Sequence, residues 1–505
     1  MLDMKKSFWL EFSKKQDYPK LKENIKTDIL IIGGGITGIL CAYELSNYYK
    51  DITIVEQNEL YHTTTGYTTG KITYQHGYCY ANLIKDKGMA RAKDYYEANK
   101  MAFDYLVNQI KEHNIDCDLD ITDAVLYAKT KAEYYDLLKE RRAYEALGID
   151  HHWGENQILP FKTYAYLKVP GQASFNVVKY LDHILGRLSD VKIYENTKVT
   201  ETVDNDQEVY AITTDNYKIE AKYIINASHY PFYKGFNFYF LKVYPTIAYV
   251  AVGKVPHEEL VPNGLYINSQ NPIYSIRYAV RDNEKYLMLA GQSRDANQID
   301  DFKKELSALK TFGKEELSID EYIYEWYNQD YDSTDMIPLI GRVKSSHSYI
   351  ATAFKKWGMT TSVLASIMIR DLITKKVNKY QELFNPNRSF LTFKTIKYNL
   401  KMGKTFFKTK LLKAIIDNNV KKGEGSIVKI INRKYGVYID QDGKTYVVKP
   451  ICPHMKCTLL FNNVSKTYDC PCHGSRFRYD GKCLDGPAPR DLELLDIDLK
   501  IQPLS

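Results

Sequence analysis

Residues 27–57, TDILIIGGGITGILCAYELSNYYKDITIVEQ, decide the fold of the larger part of the chain. They predict a buried parallel strand over residues 28–32, a glycine turn, an amphipathic helix over about residues 36–49 and a second strand that ends at Glu56. Strand, helix and strand in this order form a βαβ unit, because parallel strands are joined through a crossover. Helix-like and strand-like segments alternate as far as about residue 375, so we expect an α/β fold with a Rossmann-like domain that binds FAD or NAD(P).

The glycine turn fits the pattern G-x-G-x-x-G, directly after a strand and before a helix. Glycines let the backbone approach a pyrophosphate, the helix N-terminus faces its charge, and a carboxylate after the next strand accepts from a ribose hydroxyl. The residues predicted to bind a dinucleotide are Gly33, Gly35, Ile36, Thr37, Gly38 and Glu56. The alternative is a structural glycine turn without a ligand.

A polar loop that follows Glu56 contains Thr64 and Thr65, which are candidates to contact a flavin and its ribityl phosphate. From about residue 20 to 375 the order of segments resembles the D-amino-acid oxidase family of FAD enzymes, which includes sarcosine and glycine oxidases. The matching segments are 195–199 (ENTKV), 224–228 (IINAS) and 357–360 (WGMT). The resemblance implies FAD as the cofactor, with the backbone of Val199 at the adenine and with Gly358, Met359 and Thr360 beside the isoalloxazine.

The pattern and the resemblance together predict four parts of the chain. Residues 1–26 form an N-terminal segment, residues 27–375 the oxidoreductase, residues 376–424 a basic connector and residues 425–505 an all-β domain. Within the oxidoreductase we expect FAD-binding parts at about 27–77, 151–231 and 319–375. A discontinuous α+β substrate domain is expected at about 78–150 and 232–318.

The tail contains two short motifs that each supply one cysteine and one histidine, namely Cys452-x-His454 and Cys470-x-x-His473. This spacing matches a Rieske [2Fe-2S] centre, in which thiolates hold one iron and neutral imidazoles hold the other. A zinc site is the alternative, but zinc motifs pair like ligands at short spacing. We therefore expect Cys452 and Cys470 on the buried iron and His454 and His473 on the iron nearer to solvent.

The tail also resembles the Rieske proteins of quinol-oxidising complexes in the surroundings of these ligands. That resemblance implies a disulfide between Cys457 and Cys472 and a Ser475 hydroxyl that donates to the cluster, while residues 486–489 (GPAP) resemble the loop that covers it. Phe477 stands where those proteins carry a tyrosine donor, which predicts a lower reduction potential. Two free thiols at Cys457 and Cys472 remain the alternative, because the cytosol is reducing.

Three residues are candidates for the substrate site: Arg277, His229 and Lys71. An arginine over the flavin would suit a substrate carboxylate through a bidentate pair, and the alternative is an ordinary surface or ion-pair arginine. His229 follows a predicted strand end and would face the cofactor or, alternatively, act as a cap or core residue. Lys71 would approach the flavin edge or be an ordinary loop lysine.

The formal net charge of +7 is concentrated between Lys394 and Lys422, where nine lysines accompany one acid, Asp417. We therefore expect no nucleic-acid partner. Apolar residues recur at helix-like intervals among the lysines, at Ile396, Leu400, Phe407 and Leu411. Two interpretations are open: a basic amphipathic helix on an anionic membrane surface, or a connector docked on the oxidoreductase with solvated lysines. The first residues lack the pattern of a cleaved signal, so we expect a cytoplasmic protein.

Together the two modules resemble a bacterial family in which an oxidase-type flavoprotein is fused to a Rieske domain. The expected function is dehydrogenation of an amine or amino acid, with electrons passing from FAD to the [2Fe-2S] cluster and on to a protein or quinone acceptor. Two alternatives are open: a reductase fed through the cluster, and a redox sensor or electron carrier without turnover. Clustered ligands for a mononuclear iron are not visible, which disfavours an oxygenase.

Overall fold

The computed structural model describes residues 7–12, 17–231, 239–255, 261–281, 284–296, 302–344, 346–390, 392–411, 420–430, 433–463 and 465–496. Its α-helices are α1 (Ile36–Ser46), α2 (Tyr80–Lys87), α3 (Met89–Glu112), α4 (Lys131–Leu147), α5 (Val177–Leu185), α6 (Tyr239–Lys242), α7 (Phe302–Leu317), α8 (Gly358–Ile373), α9 (Gln381–Phe384) and α10 (Phe393–Leu411). Short 3₁₀ helices span Leu10–Phe12 and Thr64–Tyr67.

The strands are β1 (Ile25–Ile32), β2 (Ile52–Val55), β3 (Lys71–Ile72), β4 (Asp120–Ala128), β5 (His152–Gly154), β6 (Ala165–Ser174), β7 (Lys192–Tyr194), β8 (Val199–Asp204), β9 (Val209–Thr213), β10 (Lys218–Asn226), β11 (Val243–Lys254), β12 (Leu265–Ile267), β13 (Tyr274–Arg281), β14 (Glu284–Asp295), β15 (Glu321–Ser333), β16 (Leu339–Arg342), β17 (Ser348–Thr352), β18 (Glu424–Ile430), β19 (Arg433–Ile439), β20 (Thr445–Val448), β21 (Leu460–Asn462), β22 (Thr467–Asp469), β23 (Arg476–Arg478) and β24 (Cys483–Asp485).

The first sheet confirms the Rossmann-like domain. Five of its strands, in the order β17-β10-β1-β2-β7, run parallel. Strand β16 is antiparallel to β17 at one edge. Strand β9 pairs with the N-terminal end of β10, and β8 pairs with β9. Strand β1 reads as a continuous apolar run because helices cover the sheet, and its residues Ile29, Leu30 and Ile31 are fully buried. Helix α1 connects β1 to β2 and packs against α8. It ends at Ser46, earlier than expected, because the N–H groups of Tyr48 and Tyr49 both turn back to the Leu45 carbonyl.

The second sheet is mainly antiparallel and follows the order β15-β11-β14-β13-β12-β4-β6-β3, with β5 paired to β6. It corresponds to the predicted α+β substrate domain, but its membership differs from the partition expected from sequence. Strands β3, β5, β6 and β15 belong to this sheet, although their residues fell within the predicted FAD-binding parts. The physical reason is that strand partners are chosen by long-range hydrogen bonds, which a single sequence does not display.

The C-terminal domain is all β, as predicted. It contains a three-stranded sheet, β18-β19-β20, and a four-stranded sheet, β21-β22-β23-β24. Its core combines apolar residues such as Leu459 and Phe477 with the buried cysteines of the two ligand motifs. The cluster loops therefore form part of the hydrophobic core of this domain.

The predicted connector contains the long helix α10. The ring of its Tyr398 packs 4.4 Å from that of Tyr244 in the substrate domain, and Met402 joins the core of the C-terminal domain. Lys401 forms an ion pair with Asp295 at 2.7 Å. The docked side of this helix thus contacts both neighbouring domains.

Within the described ranges, every helix is too short or too polar to cross a bilayer.

Candidate functional site

The glycine turn between β1 and α1 permits a very close approach of backbone to backbone. A Cβ atom at Gly38 would lie 1.9 Å from the carbonyl oxygen of Gly33, so only glycine fits there. Gly35 is the N-cap of α1 and offers no side-chain cap to the first turn. The N–H of Ile36, the first residue of α1, donates to the Thr65 hydroxyl at 3.1 Å. A glycine turn at a helix N-terminus suits the pyrophosphate of a dinucleotide.

Glu56 lies directly beside this turn, at the end of β2. Its two carboxylate oxygens accept from the N–H groups of Gly34 at 2.8 Å and Asn58 at 2.9 Å. Burial raises the pKa of Glu56, and these donors oppose the rise. Each carboxylate oxygen has a second lone pair, so the group can still accept from a ribose hydroxyl.

A cavity of about 700 Å³ extends from the glycine turn into the substrate domain. This volume is typical of cofactor sites. The predicted cofactor residues that line it are Gly33, Gly35, Ile36, Thr37, Glu56, Thr64, Thr65, Val199, Gly358 and Met359. Gly38 and Thr360 lie outside the lining, and the Thr360 hydroxyl donates to the Thr73 carbonyl at 2.9 Å instead. The lining fits FAD as the cofactor implied by the resemblance.

Lys71 lines the same cavity and hydrogen-bonds to Ser275. Burial and, after it, the charge of Arg277 lower the pKa of Lys71 to about 7. Its amine is thus protonated less readily than that of an ordinary lysine. A ligand anion beside Lys71 would favour the protonated form, because an opposite charge stabilises it.

Arg277 lies outside the residues that line the cavity. Its guanidinium lies 5.5 Å from the centre of the Trp9 ring and donates to the Gly70 carbonyl at 3.4 Å. The physical reason is that Trp9, from the N-terminal segment, covers this side of β13. Arg277 is thus buried against Trp9, and its contact with a substrate carboxylate stays a prediction.

His229 lines the cavity between two carboxylates. Its Nε2 lies 3.0 Å from Asp330 of β15, and its Nδ1 lies 3.7 Å from Asp485 of the C-terminal domain. Burial disfavours the charged ring, but the carboxylates outweigh burial and raise the pKa of His229 to about 10. Because the folded protein holds this proton more tightly, the ion pair stabilises the fold fully below about pH 6.5 and loses this effect as the pH rises toward about 10.

The four predicted cluster ligands converge in the C-terminal domain. The thiols of Cys452 and Cys470 are buried and hydrogen-bonded to each other, and each sulfur also accepts from the backbone N–H of the histidine in its own motif. The rings of His454 and His473 lie 5.0 Å apart and nearly perpendicular.

The protonation states suit iron binding. Burial lowers the pKa of His454 to about 4 and that of His473 to about 3, so both rings are neutral, which is the form that ligates metals. Both Nδ1 atoms are buried without a hydrogen-bond partner in the described part of the chain. Two thiols and two unpaired imidazole nitrogens fit the ligand set of a Rieske centre.

A disulfide bond joins Cys457 to Cys472, with an S–S distance of 2.19 Å, as the resemblance implied. The sulfurs of Cys457, Cys470 and Cys472 lie within 4.8 Å of one another, but the disulfide engages two of the three, so they do not form a separate metal site. Hydrogen bonding with Cys470 lowers the pKa of Cys452 to about 7, and the Ser475 hydroxyl acts in the same direction. A donor role of Ser475 toward the cluster stays a prediction.

The C-terminal domain closes one side of the cavity, which sequence reasoning did not foresee. The predicted cluster ligand His454 and the loop from Asp485 to Pro489 line the same cavity as the glycine turn. The Gln57 amide, beside Glu56, donates to the Leu484 carbonyl at 2.8 Å. Residues 486–489 (GPAP), which we call the proline-rich loop, were the one sequence feature near this contact. Their resemblance to Rieske proteins indicated that they cover the cluster, and it gave no indication of a contact with the cavity.

Further lining residues were also missed. Asp332 and Lys356 line the end of the cavity in the substrate domain, which we call the substrate end. Burial there raises the pKa of Asp332 to about 6 and lowers the pKa of Lys356. Ala353, Lys355 and Lys356 all have positive φ angles, of 63°, 52° and 68°. Such strain clusters at functional sites, but it is a property of the folded backbone and leaves no pattern in the sequence.

Two family models match the chain. The model described as FAD dependent oxidoreductase matches residues 28–372, and the model described as Rieske [2Fe-2S] domain matches residues 411–496. The Bacillus subtilis (strain 168) protein described as "Putative Rieske 2Fe-2S iron-sulfur protein YhfW" is 34% identical over 500 residues, which cover 97% of this chain and 98% of that protein.

Solved structures share the fold of the oxidoreductase part. Glycine oxidase from Geobacillus kaustophilus superposes with a TM-score of 0.59 at 14% identity and covers 72% of this chain and 99% of its own. L-proline dehydrogenase from P. horikoshii reaches a TM-score of 0.57 at 16% identity and covers 73% of this chain and 98% of its own. At such identities the likeness concerns the fold.

Substitution Gly38→Ala should weaken FAD binding. The new methyl group would overlap the Gly33 carbonyl, and overpacking against backbone costs about 3 kcal/mol, equivalent to a roughly hundredfold loss of affinity. Flavin absorbance of the purified variant measures the effect. Gly403→Ala in α10, where a Cβ meets nothing within 4 Å, should retain full flavin. Normal flavin content in Gly38→Ala would contradict the assigned site.

Substitution Cys452→Ser should abolish the Rieske cluster and leave flavin binding unchanged, because a thiolate ligand is lost. Iron and sulfide analysis and the EPR spectrum after dithionite reduction measure this. The matched control is Cys483→Ser, since Cys483 is a buried free cysteine of the same domain outside the ligand set. A full Rieske signal in Cys452→Ser, or its loss in Cys483→Ser alone, would show that the ligands are wrongly assigned.

Proposed function

This chain belongs to the family of FAD-dependent oxidoreductases and carries a C-terminal Rieske [2Fe-2S] domain, and from that premise we propose that it dehydrogenates the C–N bond of an amine or amino acid. We further propose that the electrons leave through the cluster to an external acceptor. When bound, FAD supplies a two-electron acceptor for a hydride and the cluster a one-electron carrier. The residues of the chain orient these groups and keep water away from them.

The observation that carries this proposal is the shared cavity. The glycine turn and His454 face the same space, and the wall between them contains His229 and the loop from Asp485 to Pro489. A cluster that served only as a separate carrier would not need a ligand at the cavity wall. The proline-rich loop forms part of this wall, and an enclosed site would exclude competing reactions.

The substrate end of the cavity supports a small polar substrate. Lys71, held by Ser275, is the cation that we assign to a substrate carboxylate in place of Arg277. Asp332 and Lys356 give this end further charged groups whose pKa values burial has moved toward neutrality. Glycine oxidase and L-proline dehydrogenase, which share the fold, are named for C–N substrates, and this supports the reaction class.

The external acceptor is proposed to be met at a membrane surface through α10. Ile396, Leu400 and Phe407 on this helix are 52%, 65% and 65% exposed. Lys397 and Lys404 are exposed on the same helix. An apolar stripe flanked by lysines suits the interface of an anionic bilayer. Because α10 also packs into the cluster domain, this orientation would bring the cluster close to a lipid-soluble quinone.

The proposed direction of electron flow can be tested by anaerobic mixing with a panel of secondary amines and amino acids. We expect at least one substrate to bleach the flavin absorbance and then to produce the EPR signal of the reduced Rieske cluster. In Cys452→Ser the same substrate should bleach the flavin without an EPR signal. If only a quinol or a reduced protein donor reduces the cluster, the proposal fails in favour of a reductase.

Membrane contact can be tested by co-sedimentation with vesicles. Serine at Ile396, Leu400 and Phe407 removes apolar side chains that would each contribute about 1.5 kcal/mol or more when buried, so binding to phosphatidylglycerol vesicles should fall at least roughly tenfold. The matched control carries serine at Val280, Val377 and Leu494, which are exposed apolar residues outside α10. Equal binding of both variants, or no binding by the unaltered protein, would exclude this surface.

A further inference from the structure

Strand β15 has two functional faces. Side chains alternate across a strand, so residues of even and odd number point to opposite sides of the sheet. The even-numbered residues Asn328, Asp330 and Asp332 line the cavity. The odd-numbered residues Tyr327, Gln329 and Tyr331 are buried on the opposite side, where they contact the Rieske domain.

Most contacts on the odd-numbered face reach the loop that carries Cys470 and His473, which we call the second cluster loop. The Gln329 side-chain amide donates to the Gly474 carbonyl at 2.7 Å, and the Tyr331 hydroxyl donates to the carbonyl of the ligand His473 at 3.3 Å. The Gln329 amide also donates to the Tyr331 hydroxyl at 3.2 Å. The two side chains therefore form one small network that ends on the backbone of the cluster loop.

Gly474 makes this close approach possible. It has a φ angle of +74°, and a Cβ at this position would lie 2.7 Å from the Pro245 Cβ and 2.8 Å from the Gln329 Nε2. The loop that carries His473 is thus pressed against β11 and β15 with no room for a side chain. Any displacement of β15 would be transmitted to this loop.

The even-numbered face ties the same strand to the cavity. Asp330 forms the ion pair with His229, and it accepts from the backbone N–H of Lys356 and, at 2.7 Å, from that of Tyr331. The Tyr331 ring in turn lies 4.8 Å from that of His229. The cavity and the second cluster loop therefore lie on opposite faces of β15.

We propose that Gln329 and Tyr331 are positioning residues for the [2Fe-2S] cluster, which hold its second loop against the strand that lines the substrate cavity and raise its reduction potential. The physical reason is electrostatic. Reduction adds negative charge to the cluster, and an N–H and an O–H group that point toward the ligand loop stabilise that charge. The sequence gives no sign of this support, because both residues belong to the flavoprotein part. The inference deepens the proposed function and rests on it only for the direction of electron flow.

The test measures the cluster itself in the full-length holoprotein. Reduction potentials from mediated dithionite titration, followed by EPR, should be lower in Tyr331→Phe and in Gln329→Leu than in the unaltered protein, with shifted g-values and normal iron content. The matched control is Tyr322→Phe on the same strand, whose hydroxyl donates to the Lys310 carbonyl at 2.8 Å, in the substrate domain. It should leave both the potential and the spectrum unchanged.

Tyr331→Phe removes a single oxygen atom, so it decides the outcome even if Gln329→Leu fails to accumulate. An unchanged potential and an unchanged EPR spectrum in Tyr331→Phe would overturn the proposal, and so would an equal shift in Tyr322→Phe. The titration requires neither substrate nor electrons from the flavin. Its result is therefore independent of whether an amine or amino acid reduces the protein.

Discussion

A buried ion pair joins the parts of the molecule that bind the two cofactors. His229, just beyond the end of β10, lies between Asp330 of the substrate domain and Asp485 of the C-terminal domain, at 3.0 and 3.7 Å. Taking charges out of water costs several kcal/mol for each ion unless a partner compensates it, and removing one partner of a buried pair costs about 3–5 kcal/mol. Both carboxylates favour the protonated imidazole, so the docked arrangement of the domains compensates its charge.

The docked arrangement makes a single cavity out of surfaces from three parts of the chain. The Rossmann-like domain contributes the glycine turn, the substrate domain contributes the charged end near Lys71, and the Rieske domain contributes His454 and the proline-rich loop. None of these surfaces alone encloses the site. The fusion of the two modules in one polypeptide therefore has a structural consequence: the cluster domain completes the wall of the cavity.

Strand β15 and helix α10 strengthen this association from outside the cavity. Gln329 and Tyr331 of β15 reach the backbone of the second cluster loop, while Tyr398 and Met402 of α10 pack against the substrate domain and the cluster domain. The segment that appears in the sequence as a lysine-rich connector is therefore partly a bridge. One side of α10 is used for packing, which leaves Ile396, Leu400 and Phe407 on the side that faces solvent.

Contiguous motifs were sufficient to predict the fold class, a dinucleotide site and the Rieske cluster, whereas FAD in particular followed from the resemblance to a family. The G-x-G-x-x-G turn and the paired Cys–His motifs place their chemistry within a few residues, so local spacing alone determines which groups can meet. Arg277 shows where such reasoning stops. Only the tertiary structure places Trp9 against this arginine and Lys71 at the cavity wall.

The sequence by itself determined the fold class, the order of the domains and, together with the family resemblance, the cofactors. The tertiary structure alone decided that β6 and β15 join the substrate sheet, that His229 is shared between two carboxylates, and that the Rieske domain closes the flavin cavity. The physical reason is that these features depend on contacts between segments far apart in the chain. Such contacts are selected by packing, strand pairing and the burial of charge in the whole molecule, and they leave no local pattern.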